Sequence, residues 1–465
     1  MVRNSRQGRR SRRPETKNIN PFGANNARAV AYDLTVNAMK GGERLEQMWD
    51  HNVGLAGLSS RDRALAVHLA AGVLRRLRVL DHRANYLTDG KFEGLKEPVQ
   101  WVLRMGLFQV VDCDRIPPHA AVSTAVEAAK SVSHQGIAGL VNAVLRRAAR
   151  ERDQLHEQLD NAPPAEKLSM PDWLIKMLIA KYGEENIDRI ARWANAPPHH
   201  YVRLAKGGPG LARLNELLAG ANLLAAKPHP VFDEYAEVET AALTSDSPLY
   251  SEPIGWVQNP ASGLVVRLLD PQPGDQVIDL FAAPGGKSLL ISEMIGPEGQ
   301  VFAVDRSAER LKRLEENKQR FSADNMLPIQ ADVSSLGDRT AMRVLADVPC
   351  SALGTLPKNP EVRWVKTQSD IERLARSQRI WLSVASNHVA PGGLLVYATC
   401  TITSEENEFT VRGFLEANDQ FELESAAPYV PEQFVTKEGY VSSRPPFDGL
   451  DGVFAVRLRR KPAAQ

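Results

Sequence analysis

Asp279-Leu-Phe-Ala-Ala-Pro-Gly-Gly-Lys287 decides how the second half of this chain is read. A short apolar run, Gln276 to Leu280, leads into it as a strand would. Gly285 and Gly286 allow a tight turn and close approach of a ligand to the backbone. A helix beginning near Lys287 would turn its first amides toward that ligand. The spacing is neither G-x-G-x-x-G nor G-x-x-x-x-G-K-[ST], which disfavours a dinucleotide or a nucleoside triphosphate.

Working outward, strand-like runs alternate with helical patterns: Gln300 to Val304, Leu327 to Ala331, Val344 to Ala346 and Leu394 to Ala398. That alternation predicts a parallel, doubly wound α/β sheet of Rossmann-like type. Asp451 to Arg460 alternates like an edge strand. Asp305 ends the second run, 19 residues after Gly286, where an acid receives ribose hydroxyls. Asp332 ends the third and is expected to meet an adenine amino group. With the loop Phe281, Ala282, Ala283, Pro284, Gly285, Gly286 and Lys287, these acids would hold a nucleoside bearing an amino-acid tail, S-adenosylmethionine. A plain strand–turn–helix connection also carries such residues singly, so the inference rests on the set.

The chain has only three cysteines, and two follow apolar runs in this half, in Asp347-Val-Pro-Cys350 and Thr399-Cys400-Thr401. Free cysteines are often buried and inert, and Pro-Cys alone could be a turn. Two together suit covalent chemistry on a flat ring, because thiolate addition at C6 of a cytosine makes C5 reactive toward a methyl group. Asp347 would then lie near N3 of the base and near the cofactor. A helix beginning close to Cys400 would favour its thiolate, with Ser404 to Asn407 as cap residues. Cys113, flanked by Asp112 and Asp114, reads as structural.

Residues from about 26 to 150 read as helices: Ala27 to Met39, a helix capped by Ser60, Val99 to Val111, Ala120 to Val132 and Gly136 to Ala149. Ile116-Pro-Pro118 makes a break. The expected organisation is a basic tail (1–23), an all-α domain (24–152), a linker with a small α+β bridging unit (153–250) and an α/β domain (251–465). The linker is expected from Glu151 to about Pro171, with Trp173 to Trp193 helical. Tyr201 to Leu204, Pro230 to Phe232 and Ala236 to Glu239 are strand candidates around a helix from Gly210 to Leu218.

The bulk numbers agree with a soluble multi-domain protein: 465 residues, 43% hydrophobic and 24% charged, with net charge +1. The tail concentrates Arg3, Arg6, Arg9, Arg10, Arg12, Arg13 and Lys17, which suits a solvated arm or a grip on phosphates. No apolar run spans a bilayer or forms a signal-peptide core, and three cysteines argue for a reducing compartment. The expectation is therefore a cytoplasmic monomer with no metal and no membrane contact.

At Asp279 to Lys287, Asp305, Asp332, Asp347 to Cys350, Asn359-Pro-Glu-Val-Arg-Trp364, Thr399 to Asn407 and Phe447 to Phe454, the chain resembles the Sun/Fmu (NSUN-type) family of RNA cytosine-5 methyltransferases. The resemblance implies a class I S-adenosylmethionine-dependent fold, Cys400 as nucleophile and Cys350 as the thiol that assists release of methylated RNA. DNA cytosine-5 enzymes attack instead from a Pro-Cys thiol. Arg115 to Ala121 and Gly139 to Arg147 resemble a NusB-like RNA-binding domain, which implies 16S ribosomal RNA as partner, read at a single-stranded or loop cytosine. Transfer RNA as substrate, or a non-catalytic RNA-binding or antitermination-type factor, are the alternatives. The chain departs from the family at Gln258-Asn259-Pro260, at Phe281, where Cys is frequent, at Pro357-Lys358 and at Tyr201-Val-Arg-Leu204.

Overall fold

The computed structural model describes residues 20–41, 43–45, 47–48, 55, 57–243, 247–250 and 252–462. Most of the basic tail expected over 1–23 lies outside them.

The N-terminal part is helical. Asn26 caps Ala27–Met39 by accepting from the amides of Arg28 and Ala29. Ser59, rather than the expected Ser60, caps Ser60–Arg75 through the Asp62 amide. Glu97–Val111, Pro118–Val132 and Gln135–Arg150 follow. Leu69, Val73, Leu103, Leu107, Val141 and Leu145 fill a common core.

The expected linker is folded. Arg152–Asp160 and Pro164–Leu168 are helices separated at Pro163, because Leu155 and Leu168 each bury an apolar side chain. The next helical run breaks at Gly183 into Asp172–Tyr182 and Ile187–Asn195. Leu168, Leu174, Leu178 and Ile190 pack against Leu353, Leu356, Val362 and Ile402 of the α/β part. This stretch caps the α/β half.

A small antiparallel sheet comes next, with strands β1 (His200–Leu204), β2 (Lys227–Pro228), β3 (Tyr235–Val238) and β4 (Gly255–Val257) in the order β2-β3-β1-β4. The strand expected at Pro230 to Phe232 is a turn instead. There the Val231 and Phe232 amides donate to the His229 ring. β4 falls beyond the expected boundary at residue 250, so the bridging unit runs directly into the larger sheet.

That sheet has β5 (Gln276–Leu280), β6 (Gln300–Asp305), β7 (Met326–Gln330), β8 (Ala341–Asp347), β9 (Val389–Thr399), β10 (Phe421–Glu424), β11 (Val441–Ser442) and β12 (Phe454–Arg460). The order is β10-β12-β9-β8-β5-β6-β7, with β11 pairing β12. β5 through β9 run parallel, and β12 is antiparallel to both neighbours. β12 is interior, not the expected edge. Its alternation misleads because Arg457 is buried, donating to the Leu268 carbonyl at 2.6 Å and pairing with Glu424 at 3.2 Å.

The chain order reverses between β5 and β8. Such a switch point opens a crevice at the carboxyl ends of the strands. The register Leu280↔Ala346 aligns those two ends, so whatever follows β5 faces whatever ends β8.

Candidate active site

The turn after β5 is built as its sequence demands. Phe281 takes a positive φ of 64°, with its ring tilted against Trp381, and the Ala282 amide donates to Val304 O. Gly285 has φ of 105°, and a Cβ there would lie 2.9 Å from Leu314, so glycine alone fits. The helix Gly286–Ile295 starts one residue before the expected Lys287. Pro284 donates nothing, but its carbonyl accepts from Asn317 at 3.3 Å.

Lys287 Nζ lies 2.7 Å from Asp347 Oδ2, bridging the ends of β5 and β8. Burial works to lower this ammonium, but Asp347, Asp279 and Cys400 outweigh it and the net shift is upward. Beneath them Asp279 is buried, accepts from Ser288 Oγ at 2.5 Å, and is pushed up to about 7 by its burial.

Asp305 is buried. Its carboxylate accepts from the Ala283 amide at 3.3 Å and the Ser307 amide at 2.9 Å, and pairs with Arg310 at 3.2 Å. Arg310 also donates to the Ala283 carbonyl. Asp332 lies two residues beyond β7, exposed, accepting from Ser334 N and Oγ, which hold its carboxyl below the ordinary range. This donor set fits a nucleoside with an amino-acid tail: amides at a helix start, a lysine, and two carboxylates for hydroxyl or amino groups.

Cys350 and Cys400 meet at 3.1 Å between sulfurs. Cys400 is half-buried and Cys350 buried. The Cys350 S–H hydrogen bond to Cys400 and the positive charge of Lys287 favour the Cys400 thiolate over burial and Asp347, and the net shift is downward. Cys350 is held well above the ordinary thiol range by that same bond, by burial and by Glu406. The expected helix terminus is not the cause, since Glu408–Ala417 begins eight residues after Cys400.

Glu406, expected only as a cap residue, is fully buried. It accepts from Ser351 N at 2.8 Å, Ser351 Oγ at 2.5 Å, Thr403 Oγ1 at 2.8 Å and Gln378 Nε2 at 2.9 Å. It thereby ties the loop after β8 to the loop after β9, each of which carries one thiol. A buried carboxylate with four donors is a brace, and its signal was its place six residues after Cys400. Gly354 and Gly452 add a backbone contact: Gly354 N donates to Cys400 O at 3.2 Å, and Gly452 N to Gly354 O at 2.7 Å.

Two departures from the family pattern have structural roles. Gln258 accepts from Tyr235 Oη at 2.8 Å and donates to Gly286 O at 2.9 Å, fastening the glycine turn to the small sheet. Asn259 caps the helix Pro260–Leu269. Lys358 pairs with Asp451 at 2.6 Å, and Pro357 O accepts from the buried Arg75 at 2.7 Å, so this segment faces protein. Cys113 stands apart, buried and pushed up to about 12 by burial and then by Asp112 and Asp114. Among the described residues, no group of three or more His, Cys, Asp or Glu could hold a metal ion. No helix there is long and apolar enough to cross a membrane.

A Rossmann-like sheet with a glycine turn at its switch point, set behind a helical module, defines a two-part methyltransferase. Residues 266–459 match the family model described as 16S rRNA methyltransferase RsmB/F, and residues 25–150 match the NusB family. Ribosomal RNA small subunit methyltransferase B of Escherichia coli O1:K1 / APEC is 34% identical over 421 residues, covering 87% of this chain and 92% of that protein. A probable ribosomal RNA small subunit methyltransferase B of Synechocystis sp. is 32% identical over 418 residues, with the same coverage of each. The chain belongs to this RsmB/F methyltransferase family. Among solved structures, PH0851 shares the fold with a TM-score of 0.75 at 23% identity, covering 95% of this chain and 99% of its own. NSun6 from Pyrococcus horikoshii, solved with SFG, has a TM-score of 0.55 at 21% identity, covering 62% of this chain and 98% of its own.

Proposed function

We propose that this protein methylates C5 of a cytosine in 16S ribosomal RNA, in the cytoplasm, through a transient bond between Cys400 Sγ and C6. The observation that carries the proposal is the thiol pair at 3.1 Å beside the Lys287–Asp347 bridge. S-adenosylmethionine, when bound, supplies the methyl group. The turn from Phe281 to Lys287, with Asp305, Asp332 and Asp347, would hold it, and Arg310 must yield wherever Asp305 accepts a ribose hydroxyl.

Cys400 attacks as thiolate while the shared proton stays on Cys350. The C5–C6 π electrons move toward C5, and Asp347 stabilises the adduct by hydrogen bonding at the N3 edge of the base. Once C5 carries the methyl group, a base removes the C5 proton, the C6–S bond breaks and its electrons return to Cys400. Cys350, buried beside that sulfur, assists this release. The base must first leave its stack, which favours a loop or single-stranded cytosine. A non-catalytic role has no use for two adjacent thiols with opposed shifts.

Bisulfite sequencing of 16S ribosomal RNA from cells lacking the protein, complemented with wild type or Cys400→Ala, tests this. One cytosine should lose its mark in the deletion and regain it only with wild type. Restoration by Cys400→Ala would remove the mechanism.

A further inference from the structure

A cytosine that leaves its stack to reach Cys400 brings its sugar–phosphate backbone to the rim around that sulfur. Two elements form part of this rim. The helix Ile187–Asn195 belongs to the apolar cluster against which Cys400 packs, through the buried Ile190 and the partly buried Ile187 and Ala191. The loop from Ser443 to Val453 is closed by the Ser443 amide donating to Val453 O at 3.0 Å. Its Gly452 amide donates to Gly354 O, and Gly354 N in turn to Cys400 O.

Helix and loop meet on one phenyl ring. The Arg189 guanidinium lies 4.5 Å from the Phe447 ring centroid and the Arg444 guanidinium 5.5 Å from it. Tyr182 packs against the same ring at 5.8 Å. Arg189 Nε donates to Pro446 O at 2.9 Å, which docks the loop on the helix. Arg444 does no such docking: its hydrogen bonds run to Asp448 within its own loop. Both arginines are exposed. Among the described residues no carboxylate pairs with Arg189. Arg444, its side chain 62% exposed, pairs with Asp448 at 3.3 Å. Arg192, also exposed, lies one turn beyond Arg189 on the same side of a helix whose single acid is Asp188.

We propose that Arg189 and Arg444 clamp a backbone phosphate of the RNA strand beside the target cytosine, with Phe447 holding both guanidiniums and Arg192 extending the track. The proposal rests on the reading of RNA as the substrate presented to Cys400. Two like charges gathered at one exposed ring lack an anion, and the second has no structural task across the seam. A guanidinium presents five donors in a planar fork that matches phosphate, so Arg444 keeps donors to spare beyond its Asp448 bonds. Stacking on an aromatic face orders that fork before the ligand arrives.

The test is filter binding of the full-length protein to labelled 16S ribosomal RNA transcript across a potassium chloride series, plotted as log Kd against log salt. Arg444→Gln should weaken binding several-fold at low salt and reduce the slope by about 0.7, the loss of one phosphate contact on a single strand. Arg444→Lys should keep the slope. The Arg189→Gln, Arg444→Gln double variant should lose more slope than either single one. The melting temperature of Arg444→Gln should match wild type, which separates lost charge from lost structure, and this variant carries the test if Arg189→Gln fails to fold. An unchanged slope in Arg444→Gln would overturn the proposal. Wild type that binds the transcript with the slope of these contacts yet never methylates it would instead sink the proposed function and leave the clamp standing.

Discussion

Cys350 Sγ and Cys400 Sγ, borne by the loops after neighbouring parallel strands, stand 3.1 Å apart, within hydrogen-bonding distance. Their shifts run in opposite directions, so Cys400 gives up its proton more readily than Cys350.

Removing the proton holder should stall release. Cys350→Ala incubated with RNA and S-adenosylmethionine is expected to accumulate a covalent protein–RNA complex, seen as a retarded band on a denaturing gel. The Cys350→Ala, Cys400→Ala double variant should show no such band.

Mild oxidation should join the two sulfurs. They start about 1 Å beyond bonding distance, so diamide, accepting two electrons and two protons, is expected to form a disulfide and abolish methyl transfer. Dithiothreitol should restore activity. Peptide mapping should find Cys113 unmodified, since it is buried in the other domain.

Asp279 predicts a pH dependence of stability. Its folded value of about 7 lies above the ordinary unfolded value near 3.9. Between these the folded state binds the extra proton, so stability falls as pH rises, by up to about 1.4 kcal/mol per pH unit, and the loss is complete above the folded value. Asp279→Asn should flatten this slope in thermal melts. An unchanged slope would mean the carboxyl ionises freely.

Gly354 should tolerate no side chain. A Cβ there would lie 2.6 Å from Gly452 Cα and 2.8 Å from Cys400 O, and neither is a flexible side-chain end. Gly354→Ala is expected to cost about 1–3 kcal/mol in stability. Displacing Cys400 should lower methyl transfer roughly 10- to 100-fold, measured with labelled donor.

Arg363→Met should loosen the helical stretch that caps the α/β domain. It strips a fully buried cation from the carbonyl of Ala194 and the side chain of Asn195, at about 2–4 kcal/mol. Calorimetry should show a lower melting temperature, and limited proteolysis should cut the helix Ile187–Asn195 faster than in wild type.

The sheet was legible because β5 to β9 are short apolar runs punctuated by turn residues, and all five appear within a few residues of expectation. The thiols and the Lys287 turn were legible because each immediately follows a strand, and strand ends share one edge. What escaped has a common cause: a buried charge looks like a surface charge in sequence. Arg457 made an interior strand read as an edge, and Arg363 and Glu361 made a contact between parts read as family signature alone. Glu406 made a brace read as a cap. The linker helices escaped because Leu155 and Leu168 are sparse among polar residues, and only partners far along the chain give them something to cover.

The segment Asn359 to Trp364 meets the helical domain where Glu361 accepts from the Leu45 amide and Trp364 donates to Leu74 O, and meets the capping helices where Arg363 donates to Ala194 O. A chimera that imports the helical module from a relative would therefore have to carry over the contacts made by Leu45, Leu74 and Arg75. Grafts that trim those residues should lose the seam between the two domains and melt in separate steps.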